Sequence, residues 1–297
     1  MLNKHRGAAA RIVILTLALI FLYLPIMTLV VYSFNDSKMV TVWTSFSLKW
    51  YGVLVQDQAI ISALLTSLTI AFMAAAASVI IGTMAAFVMV RVHTFAGESA
   101  FMLFMTAPMV LPEVVTGLAL LLLYVTLGDF IPFFADRGIA AIWFAHVTFC
   151  SAYATVVIRS RFLELDTSIE EAAKDLGAGP LKVFFAVMLP SLMPAEIAAF
   201  LLSFTMSMDD VVITSFIAGP ESTTLPMLIF SSIRRGLSPE INALASIIIF
   251  VASIGTFIGW LSLVRKEKRI AADVAKANAE AKAEREKIFA RSRMSRV

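Results

Sequence analysis

The chain of 297 residues is 60% hydrophobic and only 15% charged, with a mean hydropathy of +0.88. Those proportions exclude a water-soluble globular domain and make the bilayer the solvent for most of the sequence. The net charge of +3 reflects where Lys and Arg cluster rather than a nucleic-acid patch, and the single Cys150 excludes an intrachain disulfide.

Six stretches are apolar and long enough to cross a hydrocarbon core of about 30 Å as helices. They run from Ile12 to Phe34, Ile61 to Val90, Ala100 to Leu127, Ile139 to Ile158, Ala195 to Ala218 and Ile241 to Val264. The fold expected is all-α, a polytopic membrane protein with six transmembrane helices. Lys4, Arg6 and Arg11 precede the first span as in a secretory signal. Its apolar run is too long, however, and lacks a small-residue cleavage site, so a retained helix is expected.

Trp43, Phe46, Trp50 and Tyr51 follow that span. They read as headgroup-level anchors, or as a docking surface for an external protein. In the third span Pro108 and Pro112 loosen the backbone just before Glu113, with Thr116 and Gly117 one turn on. A carboxylate beside an unwound segment suits a cation; the structural alternative is a glutamate paired with a backbone donor at a kink. His146 and Cys150 stand one turn apart in the fourth span, the spacing of metal ligands. Two ligands without a third define no metal site, and a hydrogen-bonded interior histidine is the better reading.

Between the fourth and fifth spans lies a loop of about residues 160–194. Ser168 and Glu171 have the spacing of a capping box, Gly177 can stop the helix they start, and Pro180 can open a second one. Ala172 and Ala173 leave the first helix nearly bare, so another surface can approach its backbone. A compact helix-turn-helix knob is expected, either a plain surface hairpin or a socket for a partner.

Charged groups inside a span cost roughly 2.5–3.5 kcal/mol each near the helix centre, so Asp209 and Asp210 in the fifth span call for an explanation. Ser203, Ser207, Asp210 and Thr214 fall at i, i+4, i+7 and i+11, one continuous polar stripe, with Asp209 about 100° away. Such a helix can line an aqueous path; alternatively the carboxylates bond neighbouring helices or cap a helix break. The Ala-, Lys-, Glu- and Arg-rich tail at 265–297 reads as a solvated, partly frayed helix.

With six spans both termini share one face. That face would hold Lys4, Arg6, Arg11, Arg91, Arg159, Arg161, Lys174, Lys182 and the basic tail, against Lys38, Lys49, Arg137, Arg234 and Arg235 on the other. The bias makes the termini and the 160–194 loop cytoplasmic.

The order Glu171-Ala172-Ala173, three residues, Gly177, nine residues, Val187, one residue, Leu189-Pro190 resembles the EAA loop of permease subunits in bacterial ABC importers, with Val187 where Ile is usual. The segments Tyr32 to Asn35, Ser47 to Tyr51, His146 to Cys150, Ser207 to Asp210, Thr224 to Pro226 and Ser238 to Leu244 narrow the resemblance to polyamine importers, nearest to second permease subunits of putrescine systems. It covers about residues 12–264 and leaves the tail outside.

The resemblance implies a type I ABC importer permease fold over residues 1–264, in the bacterial inner membrane, moving putrescine and spermidine from periplasm to cytoplasm by alternating access. Its expected partners are a homologous sister permease, two copies of a cytoplasmic ATPase, a periplasmic polyamine-binding protein and membrane lipid, with no nucleic acid. ATP and Mg would be bound by the ATPase, since this chain has no G-x-x-x-x-G-K-[ST] loop and no expected cofactor, metal or catalytic residue. Glu171, Ala172, Ala173, Gly177, Leu189 and Pro190 would couple to that ATPase, and Asp209, Asp210, Ser207 and Glu113 would line the substrate path. The alternatives are an importer of another cationic or amino-acid-like solute, or an intramembrane hydrolase built on Asp209 or on His146 and Cys150.

Overall fold

A computed structural model describes residues 2–39, 42–92, 95–131, 137–235, 239–262, 264–265 and 268. Among these residues the regular structure is helical, with one isolated bridge between Asn35 and Phe46. The frayed helix expected over the C-terminal tail lies outside the described residues from 269 onward. Five helices are long and apolar enough to cross a membrane, and a bent helix pair makes six if it is one span. The chain divides into two compact units, 1–54 with 238–297, and 55–237.

The first unit contains α1 (Leu2–Tyr32) and α12 (Pro239–Ser262), apolar throughout their spans. Between Tyr32 and α2 (Lys49–Gln56) the chain closes on Asn35. Its buried amide donates to Val42 O (2.7 Å) and accepts from Thr44 N (3.0 Å), while Asn35 O accepts from the Trp50 indole (2.7 Å). Tyr51 OH meets Ser33 Oγ at 2.7 Å. The four aromatics therefore divide: Trp50 and Tyr51 bind the loop internally, whereas Trp43 and Phe46 remain exposed.

The second unit is organised on α3 (Gln58–Arg91) and α6 (Ile139–Glu164). Both bury small residues, Ala71, Ala74, Ala75 and Ala86 on one and Ala141, Ala145 and Ala154 on the other. With lipid on the outside, close backbone approach drives such helices together. Gly82 marks the tightest point: a Cβ there would stand 2.9 Å from both Ala154 Cβ and Thr155 N.

Two expected spans are broken. The third becomes α4 (Glu98–Val110) and α5 (Glu113–Gly128), bent by 116°. Pro112 supplies no N–H and holds Leu111 extended, at φ −73° and ψ 136°, so α4 ends there. The fifth span begins earlier than Ala195 and stops sooner than Ala218. After a hairpin of α7 (Thr167–Asp175) and α8 (Pro180–Val183), a π-turn at Phe184–Met188 leads into α9 (Leu189–Asp209). The chain then breaks at Asp210 and resumes as α10 (Val212–Ile217), followed by α11 (Leu225–Arg235). The π-turn fits Pro190, whose ring crowds the carbonyl one turn back and forces a wider turn; Leu189 N bonds to Phe184 O, five residues away.

Candidate functional site

The hairpin is built from its cap outward. Asp166, extended at φ −69° and ψ 119°, accepts from Ser168 N at 2.9 Å, so α7 starts at Thr167. The expected cap, Ser168, is instead the second residue of the helix, because an acidic cap two positions earlier already satisfies the first free N–H groups. That backbone hydrogen bond, reinforced by the Ser168 side chain, holds the Asp166 carboxyl below its usual range.

The helix ends as the sequence requires. Gly177, at φ +84°, donates to Lys174 O (2.8 Å) and Ala178 N donates to Ala173 O (3.0 Å). This paired closure needs a left-handed residue at position 177, which glycine adopts without strain.

Along α7 only Glu170 is buried, while Ala173 packs against the cluster containing Phe162 and Val183. Glu171, Ala172 and Gly177 are exposed, as are Leu176 and Leu181 nearby; Leu189 is half-buried and Pro190 exposed. The hairpin thus presents one polar and apolar face outward and inserts a single acid inward. Glu170 Oε1 accepts from Arg91 Nε (3.1 Å) and Nη2 (2.6 Å). Sequence reasoning read Arg91 only as a topology marker and passed over Glu170; the available signal was a lone cation ending a long apolar helix.

The two breaks meet at a cavity of about 550 Å³. Pro108, Met109, Leu111 and Pro112 reach it from the first break, Glu113 and Thr116 from α5, Phe149 and Tyr153 from α6, Met206 and Asp209 from α9, and Asp210 to Ile213 from the second break. Three of the four substrate-path candidates, Glu113, Asp209 and Asp210, therefore share one cavity. Tyr153 and Phe149 were missed, although they lie seven and three residues beyond His146, on its face of α6.

The three acids differ in what they already bind. Asp210 caps α10: Oδ1 accepts from Ile213 N (3.2 Å), and Oδ2 from Thr214 N (2.8 Å) and Thr214 Oγ1 (2.6 Å). His146 Nε2 lies 3.4 Å from the same Oδ2. Glu113 and Asp209 are exposed to the cavity and form no ion pair among the described residues.

Ser207 lies outside the cavity lining. It is buried, 2.6 Å from His146 Nδ1, and Thr214 Oγ1 lies 3.0 Å from Nε2. Since Thr214 gives its hydroxyl proton to Asp210, it can only accept from the ring, so Nε2 carries a hydrogen. The polar residues on the fifth span thus close on a buried histidine instead of forming one continuous stripe. Cys150 is buried with its thiol 3.5 Å from Ser203 O, and among the described residues no group of three His, Cys, Asp or Glu could hold a metal.

Residues 78–270 match the family model described as binding-protein-dependent transport system inner membrane component. The chain is 57% identical over 267 residues to the putrescine transport system permease protein PotI of Escherichia coli K12, covering 90% of this chain and 95% of that one. It is 36% identical over 254 residues to the spermidine/putrescine transport system permease protein PotC of the same strain, covering 86% and 94%. Among solved structures, a bacterial ABC transporter involved in import of the acidic polysaccharide alginate aligns with TM-score 0.67 at 17% identity, over 89% of this chain and 97% of that one. At that identity the likeness concerns the fold.

Proposed function

Because this chain belongs to the family of inner membrane components of binding-protein-dependent transport systems, we propose that it is the permease subunit through which an ABC importer carries putrescine, with spermidine as a further substrate. The chain is a multi-pass inner-membrane protein and not an enzyme. The hydrolase alternative has no observation in its favour, since Cys150 and His146 are buried in packing and hydrogen bonds.

The observation that carries the substrate reading is the presence of two carboxylates, Glu113 and Asp209, without an ion pair among the described residues, at one cavity between broken helices. A diammonium chain needs an acceptor for each charged end and an apolar or aromatic wall for the methylenes between them. Phe149, Tyr153 and Met206 line the same space, and aromatic faces attract ammonium groups by about 0.5–2 kcal/mol. Asp210 contributes field more than contact, because its oxygens are already used at the helix cap. Weak, multiple contacts suit a passage that must release what it accepts.

The working assembly in this reading contains a sister permease, two ATPase copies that hold ATP and Mg, and a periplasmic polyamine-binding protein. The outward face of α7 with Glu171, Ala172 and Gly177, together with Leu189 and Pro190, docks the ATPase, while Ala173 backs that face from within. Both termini are cytoplasmic, residues 1–264 form the transport domain, and 265–297 form a separate basic tail. ATP-driven movement at the hairpin rocks the spans and alternates the side to which the cavity opens.

Reconstitution of the four-component complex in liposomes tests this directly. ATP-dependent accumulation of labelled putrescine, driven by the binding protein, is expected. Accumulation of a neutral amino acid with none of putrescine would defeat the polyamine assignment while leaving the permease assignment intact.

A further inference from the structure

Glu170 and Glu171 are neighbours on one helix, about 100° apart, and of the two Glu170 is buried and Glu171 exposed. The inward carboxylate is met by Arg91, the last residue of a 34-residue helix that runs through the centre of its unit. Both side chains are largely shielded from water, with 17% and 10% of their surface exposed. Two guanidinium N–H groups converge on one oxygen, at 3.1 and 2.6 Å, and the same guanidinium stands 5.9 Å from the centroid of the buried Phe162 ring on α6. One cation therefore touches α3, α6 and α7 together.

No other ion pair among the described residues joins α7 to the membrane helices. The remaining attachment is apolar: Ala173 packs on the Phe162 cluster with Leu165 and Ala178 to either side, and α7 also touches α8 and the π-turn. Apolar contacts are non-directional and let a helix slide; a two-donor bond in a shielded site resists sliding because its energy depends on direction. α3 is long, about 50 Å at 1.5 Å per residue, and interlocked with α6 at Gly82, so a push at its end moves it as a body.

We propose that Arg91 and Glu170 are positioning residues for transport, the pin through which displacement of α7 enters α3 and α6. This rests on the reading of the hairpin as the ATPase dock, but assigns the transmission to a pair that lies behind the docking face. Glu171 meets the partner, and Glu170 passes the movement on. The pin calls for arginine specifically, because lysine offers a point charge without the fork and without the flat surface that lies over Phe162.

The test uses the complete complex in liposomes with the putrescine-loaded binding protein of the same system. Arg91→Lys keeps the charge, Glu170→Gln keeps the shape, and the exchange Arg91→Glu with Glu170→Arg rebuilds the pair in reverse. ATPase copurification and basal ATP hydrolysis should stay at parental levels in both single variants. Stimulation of hydrolysis by the loaded binding protein should fall at least about fivefold in each, the lower end of typical coupling between sites, and recover at least in part in the exchange.

Parental stimulation in both single variants would overturn the proposal. So would loss of ATPase copurification in either, since the pair would then merely hold the docking face in shape. A wrong reading of the hairpin itself shows elsewhere, as unchanged ATPase association and stimulation in Glu171→Lys, whatever Arg91 does.

Discussion

Ser207 and Thr214 lie on opposite sides of the break at Asp210 and are joined through one ring, with His146 Nδ1 2.6 Å from Ser207 Oγ and Nε2 3.0 Å from Thr214 Oγ1. The imidazole sits in α6, so the broken span is clasped to the most buried helix of its unit. Fixing both ends of the break fixes the direction in which Asp209 leaves α9, and hence the shape of the cavity.

Thr214→Val tests that clasp with almost no change of volume. It strips Asp210 Oδ2 of its shortest donor and His146 Nε2 of its acceptor in a buried place, a loss of roughly 1–3 kcal/mol. Thermal unfolding of the detergent-solubilised complex should shift down clearly in Thr214→Val and little in Thr214→Ser. Equal stability of the two would mean that the hydroxyl is not what holds the break.

The adjacent acids should separate in their effects. Asp209→Asn and Glu113→Gln remove charge from groups that form no ion pair among the described residues, so assembly and basal ATP hydrolysis should persist while putrescine uptake falls. Combining them should be more severe than either alone. Asp210→Asn weakens the cap of α10 and the contact to His146, so its first effect should be lower yield or stability of the complex. If Asp209→Asn transports putrescine at the parental rate, the cation path does not use that carboxylate.

Orientation can be read by labelling in a Cys150→Ser background. A cysteine placed at Lys38 should react with a membrane-impermeant reagent on intact cells, and one placed at Asp175 only after permeabilisation, as the Lys and Arg bias requires. Outside labelling at 175 would remove the hairpin from the side on which an ATPase can reach it.

Much of this was legible in the residues themselves. Long apolar runs fix where helices cross, Pro112 announces the first break, and Gly177 with Pro180 marks the hairpin. The second break stood only as the alternative reading of the two acids, because Val211 to Ile217 continues the apolar pattern and neither proline nor glycine interrupts it. Only Asp210, placed to cap with Thr214 four residues on, signals a new helix start, and in a membrane span a carboxylate invites a functional reading first. Asp166 was overlooked for a related reason: Ser168 and Glu171 satisfy a familiar spacing, but spacing alone does not say which oxygen reaches a free N–H first. The division of labour between Glu170 and Glu171 depends on where Arg91 ends its helix, 79 residues earlier, and no local pattern carries that information.

Gly177 offers the sharpest test of why the hairpin needs glycine. Its φ of +84° is disfavoured for side-chain-bearing residues, yet a Cβ built there meets nothing within 4 Å. The requirement is therefore conformational and not spatial in the isolated chain, with a cost of about 1–2 kcal/mol for an ordinary L-residue and less for asparagine. Stimulation of ATP hydrolysis by the loaded binding protein should then follow the order Gly177, Gly177→Asn, Gly177→Ala, Gly177→Val, with the β-branched variant worst. Should Gly177→Asn instead be as damaging as Gly177→Val while Gly177→Ala is mild, bulk at the interface would be decisive, and the bare backbone of the turn would itself be part of the surface that meets the ATPase.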